Sequence, residues 1–271
     1  PWEMKPRRPL DQDIWELYDT RRDFSLTHDL AASNPQQLQK MQQLFMVEAA
    51  KYSVLPIDDR TLERVNPATA GRPDLMAGRT SLTVYEGMTG MSENVFINTK
   101  NRSHSITAQL TIPPGGGNGV ILAQAGRFGG WSLYLKKGVP TYTYNFLGLQ
   151  RFTVAAKTAL PAGKVTLRYE FAYDGGGPGK GGVATLLANG KQIAQGRIER
   201  TQFNMFSADE GADVGQDGET SVVESYGIPA PYKFTGKIDK VTIQLKAPKT
   251  ADEALEQKAR AQARLNKALS D

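Results

Sequence analysis

Apolar and polar residues alternate in short runs through most of this chain. Runs at 80–85, 105–112, 119–124, 130–136, 140–146, 164–173, 182–187, 191–198 and 236–245 each place every second residue on one apolar face, the period of a half-buried strand. Turn chemistry separates them. Lys136-Lys137-Gly138 and Ala188-Asn189-Gly190-Lys191 read as hairpin turns, because Asn-Gly and X-Gly pairs accept the positive φ that tight two-residue loops need. Nine such strands with short loops and almost no helix predict a mainly β fold, an antiparallel β-sandwich of the jelly-roll or concanavalin-like kind.

The pattern changes on either side of this block. Ile14 to Asp19 alternates like a strand, with Trp15 and Leu17 on one face. Asn34 then offers an N-cap and Pro35 suits a first helical turn. Leu38, Met41, Phe45, Ala49 and Tyr52 follow at helical spacing, and Pro56 closes the segment. A strand and one amphipathic helix do not make a domain, so this part is expected to complete a core lying upstream. The chain opens on Pro1 rather than Met, which points the same way, to processing or to a fragment. At the far end Thr250-Ala251-Asp252-Glu253 is a capping box before a helix with a thin apolar stripe. The expected organisation is 1–60 as the edge of an α/β domain, 61–78 as a linker broken by Asn66-Pro67 and Arg72-Pro73, 79–248 as the sandwich, and 249–271 as a C-terminal helix.

Composition narrows the function classes. There is no cysteine, which removes disulfides, thiolate catalysis and Cys-based zinc sites, and which fits a bacterial cytoplasm or a periplasm equally. No apolar run reaches the ~20 residues of a membrane-spanning helix. The net charge of +5 is uneven. Residues 1–70 hold nine basic and eleven acidic side chains, whereas 71–249 hold twenty and thirteen. The middle of the chain therefore favours anions, but its cations alternate with carboxylates and form no stripe, so nucleic acid is not an expected partner.

Four places invite chemistry. His28 and His104 are the only histidines, far apart and in no ligand spacing; both read as hydrogen-bonding loop residues. The run from Asp174 to Gly182 superficially resembles a phosphate loop. Its Lys180 is followed by Gly rather than Ser or Thr, and it leads into a strand, so it reads as a flexible hairpin loop. Residues 207–219 gather five carboxylates and three glycines. Asp213, Asp217 and Glu219 are candidate Ca²⁺ ligands there, although a solvated loop whose Asp side chains cap their own backbone explains the segment better. Aromatic residues cluster from Phe128 to Phe152. If one face of them is exposed, Arg127, Trp131, Tyr134 and Tyr144 are the candidate ligand or interface residues.

Several motifs, in order, resemble a known family. Trp15-Glu16-Leu17-Tyr18-Asp19, Asp23-Phe24-Ser25, Asp29-Leu30-Ala31-Ala32 and Asn34-Pro35 resemble the stretch that closes the alkaline-phosphatase-like fold of sulfatases. Pro1-Trp2-Glu3, the exit from Glu48 to Arg60, Gly126-Arg127-Phe128-Gly129-Gly130-Trp131, Tyr144-Asn145-Phe146-Leu147-Gly148, Phe171-Ala172-Tyr173-Asp174-Gly175-Gly176 and Asp213-Val214-Gly215-Gln216-Asp217 are similar to the long bacterial arylsulfatases with an extra C-terminal β-sandwich. The resemblance implies sulfuric ester hydrolysis by a parent enzyme whose formylglycine arises from Cys or Ser in a C/S-x-P-x-R motif and which holds Ca²⁺. This chain has no cysteine and no Ser-x-Pro-x-Arg, so neither nucleophile nor metal ligands carry over onto it, and no catalytic residue or cofactor is expected in it. The expected role is a non-catalytic one, completing and scaffolding an upstream sulfatase catalytic segment or chain. The alternative is a lectin-like sandwich that binds sulfated or other glycans.

Overall fold

The computed structural model describes residues 10–55, 57, 75–207, 209–218 and 220–247, together with Ala254, Lys258 and Ala261. The chain divides into two compact units, Pro1–Thr61 and Leu62–Asp271.

In the first unit α1 spans Pro35–Lys51. Asn34 precedes it but does not cap it; its side-chain amide donates to Ser33 Oγ at 3.0 Å. The helix ends before the proline expected to stop it. Tyr52 N and Val54 N donate back to Glu48 O and Ala49 O, with Ser53 at positive φ. Residues 14–19 are not a strand; among the described residues of this unit no second strand offers them a ladder. Leu17 N bonds Asp29 Oδ1 and Leu30 N bonds Leu17 O instead. Trp15 packs edge-on against Phe45 at 5.4 Å. Ala49 is the one fully buried residue of the helix, while Met41, Leu44, Met46 and Val47 stand exposed.

The second unit is an antiparallel β-sandwich. Its strands are β1 (Ser81–Val84), β2 (His104–Ile112), β3 (Gly119–Gly126), β4 (Gly129–Lys136), β5 (Val139–Phe146), β6 (Gln150–Ala155), β7 (Gly163–Tyr173), β8 (Lys180–Ala188), β9 (Lys191–Arg200), β10 (Ala212–Val214) and β11 (Lys237–Leu245). A six-stranded sheet runs β1-β11-β2-β7-β8-β9, and a five-stranded sheet runs β10-β3-β4-β5-β6. All nine expected strands are present; β6 and β10 are additional. Both expected hairpins form, with Lys137-Gly138 and Asn189-Gly190 each at positive φ as their two-residue loops require. Of the expected C-terminal helix, Ala254, Lys258 and Ala261 are helical and the rest lies outside the described residues, as do 61–74 of the expected linker.

The core lies between the sheets. Ile106, Ala108, Leu110, Leu167, Tyr169, Leu186 and Ile243 face Leu122, Trp131, Leu133, Tyr142 and Val154. Tyr142 of one sheet stacks on Tyr169 of the other at 3.8 Å. Residues 215–235 then fold back over the outer face of the five-stranded sheet. Val222 and Tyr226 close on Val120, Ala123 and Tyr134, making a second, smaller core.

Candidate functional site

The expected exposed aromatic strip does not form. Trp131 is 1% exposed and Tyr144 is buried beside it, because both lie on the inward face of the five-stranded sheet. Tyr134 points the other way, as alternation requires, but the 215–235 segment roofs it; Tyr226 meets it edge-on at 4.7 Å. Of the four candidates, Arg127 alone is exposed. A void of about 10 Å³ lies among Lys100, His104, Trp131, Tyr142, Tyr144 and Tyr169. That is room for about one water molecule and far too little for a sugar ring. Trp131 Nε1 and His104 Nε2 are buried there without a hydrogen-bond partner.

His104 opens β2 and is buried, not a loop residue. Burial holds its pKa down to about 4, so the ring is neutral; Nδ1 lies 3.1 Å from Arg102 O and, carrying the proton, donates to it. His28 is exposed beside Asp23 and Thr27, as a hydrogen-bonding surface residue. Near the void, Lys100 is buried and paired with Glu93 at 3.2 Å, and its ammonium sits 4.6 Å from the centre of the Phe206 ring. Desolvation lowers its pKa while Glu93 opposes the shift. Glu93 also accepts from Phe206 N at 2.6 Å, so the pair ties 92–103 to 203–206.

The acidic segment is built for structure. Asp213 sits in β10 and accepts from Gly90 N at 2.7 Å. Asp217 accepts from Gly218 N, Val222 N and the Tyr226 hydroxyl, so both its oxygens are engaged. It is 1% exposed, and burial raises its pKa to about 6. Asp217 caps the backbone of its own segment as expected, whereas Asp213 reaches across to Gly90, and both are buried rather than solvated. Among the described residues no three His, Cys, Asp or Glu side chains are grouped to hold a metal; Glu219 lies outside them. The Asp174–Gly182 run is pinned rather than loose. Tyr173 Oη donates to Gly177 O, Lys180 N donates to Tyr173 Oη, and Gly179 N donates to Asn101 Oδ1.

The most exposed apolar side chains of the sandwich gather at one end, where β3 and β5 finish and β4, β6 and β8 begin. Phe128 is 73%, Leu149 82% and Phe203 62% exposed, with Leu147 beside them. The turns holding Phe128 and Leu147 touch: a Cβ on Gly148 would lie 2.9 Å from Arg127 O, and Asn145 Nδ2 donates to the Gly126 and Arg127 carbonyls. Phe203 comes from the segment leaving β9, which crosses this end. Thr201 N bonds Gly179 O, Gln202 N bonds Tyr144 Oη, and Phe203 O accepts from Asn101 Nδ2. Arg200 stacks its guanidinium 5.2 Å from the Phe146 ring centre. Sequence reasoning named Phe128 and Arg127 but missed Phe203, Leu147 and Leu149. The available signal was large apolar residues at loop positions where Gly, Asn or Asp is usual.

No model of a known protein family matches the chain, and no curated protein matches it. The sulfatase resemblance therefore gains no support from a family match. Among the described residues no helix is long and apolar enough to cross a membrane. Solved structures with a similar two-sheet fold include the Ruminococcus gnavus IT-sialidase CBM40 bound to alpha2,3 sialyllactose, at 14% identity over 64% of this chain and 93% of that one, with a TM-score of 0.42. A heptameric SAP-like pentraxin from Limulus polyphemus is 13% identical over 62% of this chain and 78% of that one, TM-score 0.36. Mouse laminin alpha1 domains LG4-5 are 14% identical over 62% of this chain and 40% of that one, TM-score 0.39. Likeness at this distance concerns the β-sandwich architecture and assigns no ligand to this chain.

Proposed function

We propose that the sandwich is a non-catalytic module that binds a glycan on the rim formed by Phe128, Leu147, Leu149 and Phe203. One observation carries this reading: two exposed aromatic rings stand on adjoining loops, next to the cations Arg127 and Arg200. Sugar rings present C–H faces that stack on aromatic rings and hydroxyls that bond to charged side chains. The void beside Trp131 offers nothing comparable, since it holds about one water. Binding of the whole chain to a polysaccharide panel tests the reading. Phe203→Ala and Phe128→Ala should each weaken binding about tenfold, roughly 1.4 kcal/mol, with an unchanged melting temperature, because both rings are exposed. No binding to any polysaccharide would overturn it, and so would cosedimentation with anionic lipid vesicles in place of sugar.

A second reading rests on the first unit. Its helix leaves Met41, Leu44, Met46 and Val47 exposed, and Ile14, Phe24 and Val54 are exposed as well. So much bare apolar surface on so small a unit calls for another protein surface to cover it. In this reading the chain is the C-terminal, non-catalytic part of an arylsulfatase. Its first unit completes a catalytic segment or chain that supplies the formylglycine, the Ca²⁺ and the hydrolysis of the sulfuric ester. Limited proteolysis decides: residues 10–55 should be cut early in the isolated chain and protected when the native protein is purified with its companion. Full protection in a lone monomer sinks the idea.

A further inference from the structure

We infer that the rim reads an anionic group on its glycan, a sulfate ester or a carboxylate, through the opposed pair Lys180 and Arg200. The inference rests on the glycan reading above and deepens it.

Lys180 and Arg200 are direct cross-strand partners where β8 begins and β9 ends. Like charges placed opposite each other in an antiparallel ladder repel. Several cations of this sandwich pair with carboxylates: Arg197 with Asp174 and Glu199, Arg168 with Glu170, Arg151 with Glu224, Lys100 with Glu93. The rim cations do not, and unlike the other cations outside ion pairs, two of them stand directly opposite each other. Among the described residues none of the ion pairs includes Lys180, Arg200 or Arg127. Arg200 reaches only Gln150 Oε1 at 3.4 Å and the face of Phe146. Stacking on that ring holds the guanidinium plane while leaving N–H edges to donate outward, the fork that suits a planar carboxylate or a sulfate. The backbone beneath is fixed, since Thr201 Oγ1 donates to Lys180 O at 2.8 Å and Thr201 N to Gly179 O. Phe203 lies three residues beyond Arg200 in the same crossing segment. An anion between Lys180 and Arg200 would relieve their repulsion and place its sugar ring beside Phe203.

Matched polymers test this on the whole chain: dextran, dextran sulfate and carboxymethyl-dextran at physiological salt. Because the chain carries a net +5, a charge-matched control is needed. Lys180→Gln/Arg200→Gln is compared with Lys164→Gln/Lys191→Gln, which removes two exposed cations from the opposite end of the sandwich. The rim pair should lose affinity for an anionic polymer by tenfold or more while the control pair stays within about twofold. The polymer that responds identifies the anion. Equal losses in both pairs, or none in either, would overturn the inference. If Phe203→Ala still weakens binding about tenfold in that event, the glycan site stands and only the anion reading falls; if it does not, both fall.

Discussion

The two sheets of the sandwich are treated differently on their outer faces. The six-stranded sheet is polar there, with Thr83, Thr242, Thr107 and Arg168 in one row across four strands and Ser81, Gln244, Ser105 and Glu170 in the next. These side chains bond one another: Thr83 to Thr242 at 3.0 Å, and Arg168 to Thr107 and Glu170. Strands β3, β4 and β5 of the five-stranded sheet are buried on both faces, because 215–235 roofs them through Tyr226, Val222 and the triply bonded Asp217. The difference teaches where stability is concentrated. A face of self-paired polar side chains tolerates change, whereas a roof centred on one buried ring and one buried carboxylate tolerates it poorly.

Substitution should break this contrast most visibly at the roof. Tyr226→Ala removes a fully buried ring from between Tyr134 and Tyr232 and strips a hydrogen bond from Asp217. It should cost about 3–5 kcal/mol in urea unfolding. A cost near zero would mean that the roof contributes little to the fold.

The next effect depends on pH and sets the roof against the interior. The folded pKa of His104, about 4, lies below its ordinary 6.5. Its stabilisation is present above pH 6.5 and is lost as pH falls toward 4. Asp217 has the opposite sign: its folded pKa of about 6 lies above the ordinary 3.8, so its contribution is present at low pH and is lost as pH rises through 6. Between pH 7 and pH 5 the histidine costs roughly 2 kcal/mol and the aspartate returns about 1, a partial offset. Asp217→Asn should therefore lose about 2 kcal/mol over that interval, and His104→Gln should gain about 1. Urea midpoints at the two pH values check both; parallel slopes in the two variants would remove either group from the account.

The smallest effect belongs to the polar face. Thr242→Ala, which removes one side of the exposed Thr83–Thr242 bond, should move stability by less than about 0.5 kcal/mol. A larger loss would show that this face is covered by something in the folded protein.

The sequence made most of the sandwich legible because alternation and turn chemistry agree there. The two overlooked strands explain themselves. β6 is short and buries only Phe152 and Val154, and β10 is three residues set among carboxylates, so neither shows a long apolar alternation. Residues 14–19 failed in the other direction, since alternation describes a face but supplies no neighbouring strand to bond. The candidate site was the least legible part. Alternation separates Tyr134 from Trp131 correctly, yet only the return of 215–235 decides that Tyr134 is also covered. That return depends on Asp217, a residue that in sequence reads as part of an acidic loop.

The crossing segment at 200–203 has a mechanical consequence. Thr201 is anchored to β8 and its preceding loop in one sheet, while Gln202 is anchored to Tyr144 in the other. Phe203, on the proposed rim, thus hangs from a strap that loads both sheets together. Tension applied through a tethered polymer would be shared in parallel across the sandwich, instead of peeling one hairpin from its edge a bond at a time.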